Sequence, residues 1–441
     1  MPDISISEKL VAFSLSPARD IPDTAIEIVS LSLFDWAAVG LAGIDEPVSQ
    51  KLRQYAKDAG GKPEASLFGD DQKTNPRMAA LVNGTTSHAL DYDDTHFAYI
   101  GHPSTVIFPT LMALAERGDA PMQAFLEAAA IGFETACRIG IWLGRGHYQI
   151  GYHQTGTAGA IGATLAAARL IGLNTSETRH ALGLISSRAS GLKSQFGTMG
   201  KPMNAGLAAA NAVETVMLAN YGVTSNPNAL TGQNGFAETH HGEQDTNAAL
   251  ADLGSVYLLE NVSHKYHACC HGLHAALEAL RAVTLKHSFD VAQIEHVNIR
   301  THPRWMTVCN IVKPSTALET KFSYGHTAAL RLSGYDTGKL ETYTDALAQD
   351  KKIQTIRDLV QVTADAAIDE MVSEVRVTLT DGTVYQGTYD LAQPASHADI
   401  GGRLSLKATA LLGTDKAGDI WQATRPENGS IINLGRLLRG Q

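Results

Sequence analysis

From residue 26 to about 219 the apolar residues recur mostly at intervals of three and four, as in Ala124, Ala128, Ile131 and Thr135, and period-two alternation is scarce. Side chains so spaced share one helix face, so this stretch is expected to be mainly helical. Gly156, Ala160, Thr164 and Ala168 put a small side chain at every fourth position, a stripe along which a second helix can approach closely. A loop-like region rich in Asn, Thr and Gly spans residues 224–246, and helical spacing resumes over 272–286. The period then changes. Residues 294–302 (IEHVNIRTH) alternate apolar with polar, and residues 372–391 do so on both sides of Asp381-Gly382, a turn pair that predicts a β-hairpin. Residues 398–412 are again helical in pattern. The expectation is a mainly α chain: a large all-helical domain over residues 1–262, rejoined by 396–441, with a smaller α/β domain over 263–395.

At 441 residues and 44% hydrophobic content the chain has ample material for a buried core. Its net charge of -10, with no run of Lys or Arg, argues against nucleic acid or an acidic membrane as partner. An anionic ligand would need a local basic cluster. Four cysteines, two of them adjacent at Cys269 and Cys270, suit reduced thiols and point to the cytoplasm. The N-terminus carries acidic residues early and has no secretory pattern. The most membrane-like stretch, residues 157–173, is Gly- and Ala-rich, is interrupted by Arg169, and is shorter than the roughly 20 apolar residues that span a bilayer; it is expected to be a buried helix.

Four polar constellations stand out. Residues 83–103 (NGTTSHALDYDDTHFAYIGHP) crowd His88, Asp91, Asp93, Asp94, Thr95, His96 and His102 together. Three acids in four residues repel one another when buried and ionised, so they must cap helices or meet cations. In residues 144–157 (GRGHYQIGYHQTGT), His147 and His153 lie in a Gly-rich loop, His153 just before the small-residue helix, whose N-terminus suits an anion. In GTMGKP, Lys201 precedes Pro202, which fits the first turn of an Ala-rich helix. The fourth, residues 264–279, gathers Lys265, His267, His271 and His274 around the two cysteines. Each also has a plainer reading as cap, satisfied core histidine or solvated lysine. Adjacent cysteines close a zinc site poorly, no Cys spacing suits an iron-sulfur cluster, and residues 83–103 hold no H-x-x-x-H or Cys/His spacing, so no metal or cofactor is expected.

The segments NGTTSHALDYDDTH, GHPST, GYHQTGTAGAIGAT, FGTMGKPMNAG, KYHACCHGLHAALEA and ETKFSYGH, in this order between about residues 79 and 326, resemble the successive signature blocks of the MmgE/PrpD family. That family includes 2-methylcitrate dehydratase, cis-aconitate decarboxylase and iminodisuccinate epimerase. The resemblance implies a large helical domain plus an α/β lid with the site between them, and a homodimer. Its active-site positions would fall on Asp91, Thr95, His102, His153, Lys201 and Lys265, with His274 a further substrate contact. The run from Asp91 to His102 is one residue longer than in the decarboxylases.

All these reactions move a proton at carbon next to a carboxylate, which calls for an acid, a base and cations that hold the substrate's carboxylates. Lys201 and Lys265 suit the carboxylates, with Thr95 and His274 beside them; Asp91 suits the tuning of a base; His102 or His153 suits the proton transfer. The sequence alone ranks a 2-methylcitrate dehydratase-like hydro-lyase first, an epimerase of an amino-dicarboxylate second and a cis-aconitate decarboxylase third. A non-catalytic carboxylate-binding protein is the alternative of another class.

Overall fold

In a computed structural model that describes residues 5–441, the chain forms two compact units, one running to His264 and resuming over His397–Gln441, the other Lys265–Ser396. The first unit is helical. Its long helices Pro76–His88, Ser104–Gly118, Gln154–Leu170 and Gly200–Asn220 pack on one another, and Met122–Ile150 lies against Gln154–Leu170. Glycine sets this last distance. A Cβ at Gly162 would stand 2.5 Å from the carbonyl of Gly132, and one at Gly132 would stand 2.8 Å from Cβ of Ala166, so the two backbones touch. This contact lies on a different face from the stripe of Gly156, Ala160, Thr164 and Ala168; Gly156 meets the Ser190 carbonyl of a loop instead, 2.2 Å from an added Cβ.

The helix Asp23–Ala42 is long and apolar enough to cross a membrane by length and composition, the one such helix among the described residues, and 89% of its apolar window is buried inside the protein. Its Trp36 packs on Phe68 and Phe108 at ring separations of 4.9 and 5.7 Å. Burying side chains of this size contributes roughly 1.5–3 kcal/mol each. The helices His397–Leu412 and Thr414–Thr424 pack on the same helix, tied by Ser30 Oγ donating to the Thr424 carbonyl at 2.9 Å and by Arg425 pairing with Glu27 at 2.6 Å. A small ladder of β1 (Ala65–Leu67) and β2 (Asp70–Thr74) also belongs to this unit. Period-two reading misses it, because the strands are three and five residues long and β2 is the polar run DDQKT.

The second unit carries a four-stranded sheet, β3 (Ile294–Thr301), β4 (Val360–Ala364), β5 (Val372–Leu379) and β6 (Val384–Asp390), in the order β4-β3-β5-β6. β3 runs parallel to β4 and antiparallel to β5. The alternation read in the sequence becomes one apolar face: Val297 pairs with Val377 and Ile299 with Val375, all buried. The β5–β6 hairpin turns with Gly382 at φ +86°. The helix His274–Lys286 covers β5 and β6 so closely that a Cβ on Gly387 would stand 2.6 Å from the Ala279 carbonyl.

Candidate active site

The loop between Pro76–His88 and Ser104–Gly118 carries the three acids. Asn75 caps the first helix by accepting from the Met78 N–H at 3.0 Å, and Pro76 occupies its first turn. Gly84 faces Gly206, with an added Cβ 2.9 Å from the Gly206 Cα. That close approach brings the helix Gly200–Asn220, and Lys201 at its start, up to the loop. Asp91 adopts φ +52°, a left-handed geometry that Asp tolerates better than most residues. The chain therefore turns sharply there, and the neighbouring acids diverge.

Each acid finds a different partner. Asp91 Oδ1 lies 2.9 Å from Lys201 Nζ and 3.7 Å from His102 Nε2. Asp93, fully buried, accepts from His102 Nδ1 at 2.8 Å and from His88 Nδ1 at 3.0 Å. Asp94 accepts from the Ser104 N–H at 3.2 Å and from its hydroxyl at 2.6 Å, at the start of Ser104–Gly118. One imidazole, His102, thus sits between two carboxylates, with its backbone N–H held by Thr155 Oγ1 at 3.1 Å. Burial would raise the Asp93 carboxyl, but the charges and hydrogen bonds of His88 and His102 override it and hold Asp93 well below the usual carboxylate range. Asp94 goes the other way. Burial pushes it up to about 7 against the Ser104 hydrogen bonds, and the Asp93 and Asp35 charges add to the rise.

His153 stands at the N-cap of Gln154–Leu170, with its N–H bonded to the Gly191 carbonyl at 2.9 Å. Asn204, from Gly200–Asn220, donates Nδ2 to His153 Nδ1 at 3.1 Å, which leaves the second ring nitrogen, Nε2, to carry the proton. Burial, and then the charges of His88, Lys201 and His102, hold His153 well below its usual value, so the ring is neutral near pH 7. The Phe196 ring meets it edge-on at 4.9 Å and lies 5.5 Å from Lys201 Nζ.

Asp91, His102 and Lys201 therefore form one contiguous group, which Asp93 and His88 extend. His153 stands beside it, 6.1 Å from His88 ring to ring. Thr95 is half-buried in the same loop and exchanges both backbone hydrogen bonds with Ser263. His147 departs from expectation: it lies not in a loop but on the last turn of Met122–Ile150, beyond a kink at Gly144. There it is bonded to the His240 carbonyl and to Thr157 Oγ1, a structural role. Lys265 and His274 belong to the second unit. Lys265 is 2% exposed; His274 is buried against the rings of His267 and His271 at 5.0 and 4.7 Å. His88, Asp93 and Asn204 had not been singled out as site residues. The crowding of acids and histidines over residues 83–103 was the signal for His88 and Asp93, and Asn204 was marked only by lying in the segment FGTMGKPMNAG.

One ligand atom each from His88, Asp91, Asp93 and His102 lies within 4.8 Å of the others, close enough to hold a metal ion. Much of the donor set is already engaged, although His88 Nε2 is buried with no hydrogen-bond partner. Asp93 accepts from both histidines, and the Lys201 ammonium lies 2.9 Å from Asp91, supplying a positive charge where a metal would.

Comparison with known proteins bears on the chain as a whole. A cis-aconitate decarboxylase-like protein of Aspergillus oryzae is 29% identical over 300 residues, 63% of this chain and 61% of that protein, so the match spans less than two thirds of the relative. A cis-aconitate decarboxylase of Aspergillus terreus is 27% identical over 340 residues, covering 71% of this chain and 68% of the relative. That of Mus musculus is 25% identical over 443 aligned positions, 92% and 88%. Residues 13–249 match the MmgE/PrpD N-terminal domain and residues 267–397 the MmgE/PrpD C-terminal domain, one profile after the other along most of the chain, and on that evidence the chain belongs to the MmgE/PrpD family.

Proposed function

We propose that this protein is a metal-independent lyase that decarboxylates cis-aconitate or a closely similar tricarboxylate. The observation that carries the reading is His102 between the carboxylates of Asp91 and Asp93, with Lys201 at its side. Asp93 accepts from Nδ1 and so leaves Nε2 as the atom that exchanges a proton with substrate, while two neighbouring carboxylates favour the doubly protonated ring. Lys201 holds a substrate carboxylate. Lys265 and His274 enter the proposal as further substrate contacts, on the strength of the family motif.

In the proposed step the bond to the leaving carboxylate breaks, and its electron pair forms a new double bond to the central carbon. The original double bond shifts its electrons to the vinylic carbon, which takes one proton from His102 Nε2 as carbon dioxide leaves. The charge that builds on the carboxylate attached to that carbon is met by cations and by the Nε2–H of neutral His153, which acts as donor rather than base.

The relatives' names move decarboxylation, third in the order drawn from sequence alone, to first. Dehydration of a 2-methylcitrate-like hydroxy acid becomes the second reading, supported by the same His102 acting first as base. None of the relatives named above is an isomerase. The direct test is proton NMR of the purified protein in D2O with cis-aconitate, 2-methylcitrate or citrate. A terminal methylene pair, with deuterium on the saturated methylene across the central carbon and loss of carbon dioxide, supports decarboxylation. A vinyl signal from the hydroxy acids alone moves the assignment to hydro-lyase, and no reaction with any of them refutes both.

A further inference from the structure

The returning helix His397–Leu412 drives one charged side chain into the first unit. Lys407 is 2% exposed at its side chain, and its Nζ lies 2.7 Å from Oδ1 of Asp35, equally buried on Asp23–Ala42. The same ammonium donates to the backbone carbonyl of Tyr92 at 2.8 Å and stands 4.0 Å from the centroid of the Tyr92 ring. A buried ammonium requires such partners. The carbonyl that it holds is what matters. It belongs to the peptide joining Tyr92 to Asp93, one residue after the left-handed Asp91. Rotation of that peptide would displace both carboxylates that flank His102, Asp91 on the Nε2 side and Asp93 on the Nδ1 side.

We propose that Lys407 is a positioning residue: it locks the Tyr92–Asp93 peptide and so fixes the two carboxylates about the His102 ring. This deepens, and rests on, the reading of Asp91, His102 and Asp93 as the catalytic group. Lys407 acts through one backbone carbonyl and one aromatic ring, 315 residues away in sequence. Asp35 balances its charge. The third ionisable neighbour, His264, is made neutral by burial and then by the Lys407 charge, and its Nε2 rests 2.9 Å from Ser32 Oγ, so it adds no second cation.

The test is the double variant Asp35→Asn/Lys407→Met, which removes both buried charges together and leaves neither uncompensated. Its melting temperature is measured, with kcat and KM on cis-aconitate and the ring signals of 13C-labelled histidines assigned by substitution. The expected result is a melting temperature within a few degrees of the parent, kcat at least tenfold lower, KM within threefold, and a displaced His102 signal with His287 unmoved. Parental kcat together with an unmoved His102 signal would show Lys407 to be a structural staple and overturn the proposal. If the double variant does not fold, Asp35→Leu/Lys407→Met, which leaves neither a charge nor a carboxamide buried in their place, decides by the same readouts. If the parent itself does not turn over cis-aconitate, the functional reading fails, while the histidine signal still decides the positioning role.

Discussion

Replacing Asp94 with asparagine isolates the cost of a buried carboxylate beside the proposed catalytic group. In the folded chain Asp94 is raised from 3.8 to about 7. Between those values the native state holds a proton that the unfolded chain has released, so the parent loses stability as pH rises from about 4 to about 7 and no more above it. At about 1.4 kcal/mol per pKa unit the whole window amounts to about 4 kcal/mol, of which about 2.5 falls between pH 5 and pH 8. Asparagine accepts from Ser104 through its amide oxygen and never ionises. The assay is reversible urea unfolding of parent and Asp94→Asn at both pH values, followed by tryptophan fluorescence. His96, His147 and His264, buried and lowered to about 4, 4 and 3, act in the opposite direction. They are common to both proteins and cancel in the difference. The variant's advantage is expected to grow by about 2.5 kcal/mol from pH 5 to pH 8. A difference that stays constant within about 0.5 kcal/mol would refute the claim that the fold holds Asp94 protonated.

Asp93→Asn removes the charge that orients His102 and is expected to lower kcat by roughly 10²- to 10⁴-fold with little change in KM; steady-state rates on cis-aconitate check it, and parental kcat would remove Asp93 from the mechanism. Lys201→Met takes away a carboxylate-binding cation and should lower kcat/KM by about a hundredfold or more, consistent with roughly 3 kcal/mol for one charged hydrogen bond; unchanged substrate affinity and turnover would exclude that role. Asn204→Ala frees the His153 ring to change tautomer, and a loss of about tenfold in kcat/KM is expected, against no loss if the bond is incidental. Dialysis against a chelator should leave turnover intact, and a stoichiometric metal whose removal abolishes activity would overturn the metal-independent reading.

Periodicity made most of the fold legible, because long helices and the Asp381-Gly382 hairpin declare themselves by spacing. The β1–β2 ladder did not, since three- and five-residue strands carry too few alternations. At the site, the crowding of acids and histidines around residue 91 was visible, but their division of labour was not. Asp91, Asp93 and Asp94 look equivalent in a string of letters. They part company because the backbone is left-handed at Asp91, sending one carboxylate to Lys201, one to two histidines and one to a helix start. The roles of Asn204 and Lys407 were invisible for a different reason: they depend on helices that meet only in three dimensions.

The bare contact between Gly132 and Gly162 bears on how this enzyme could be re-engineered. The helix that begins next to His153 rests on another backbone with no side chain between them, so a single methyl group at either glycine would push the helix axis and carry the imidazole with it. Substitutions there would behave in kinetic assays like active-site lesions despite touching no substrate. Changes of substrate range are better sought at Leu192, Phe196 and Met199, whose side chains are partly exposed.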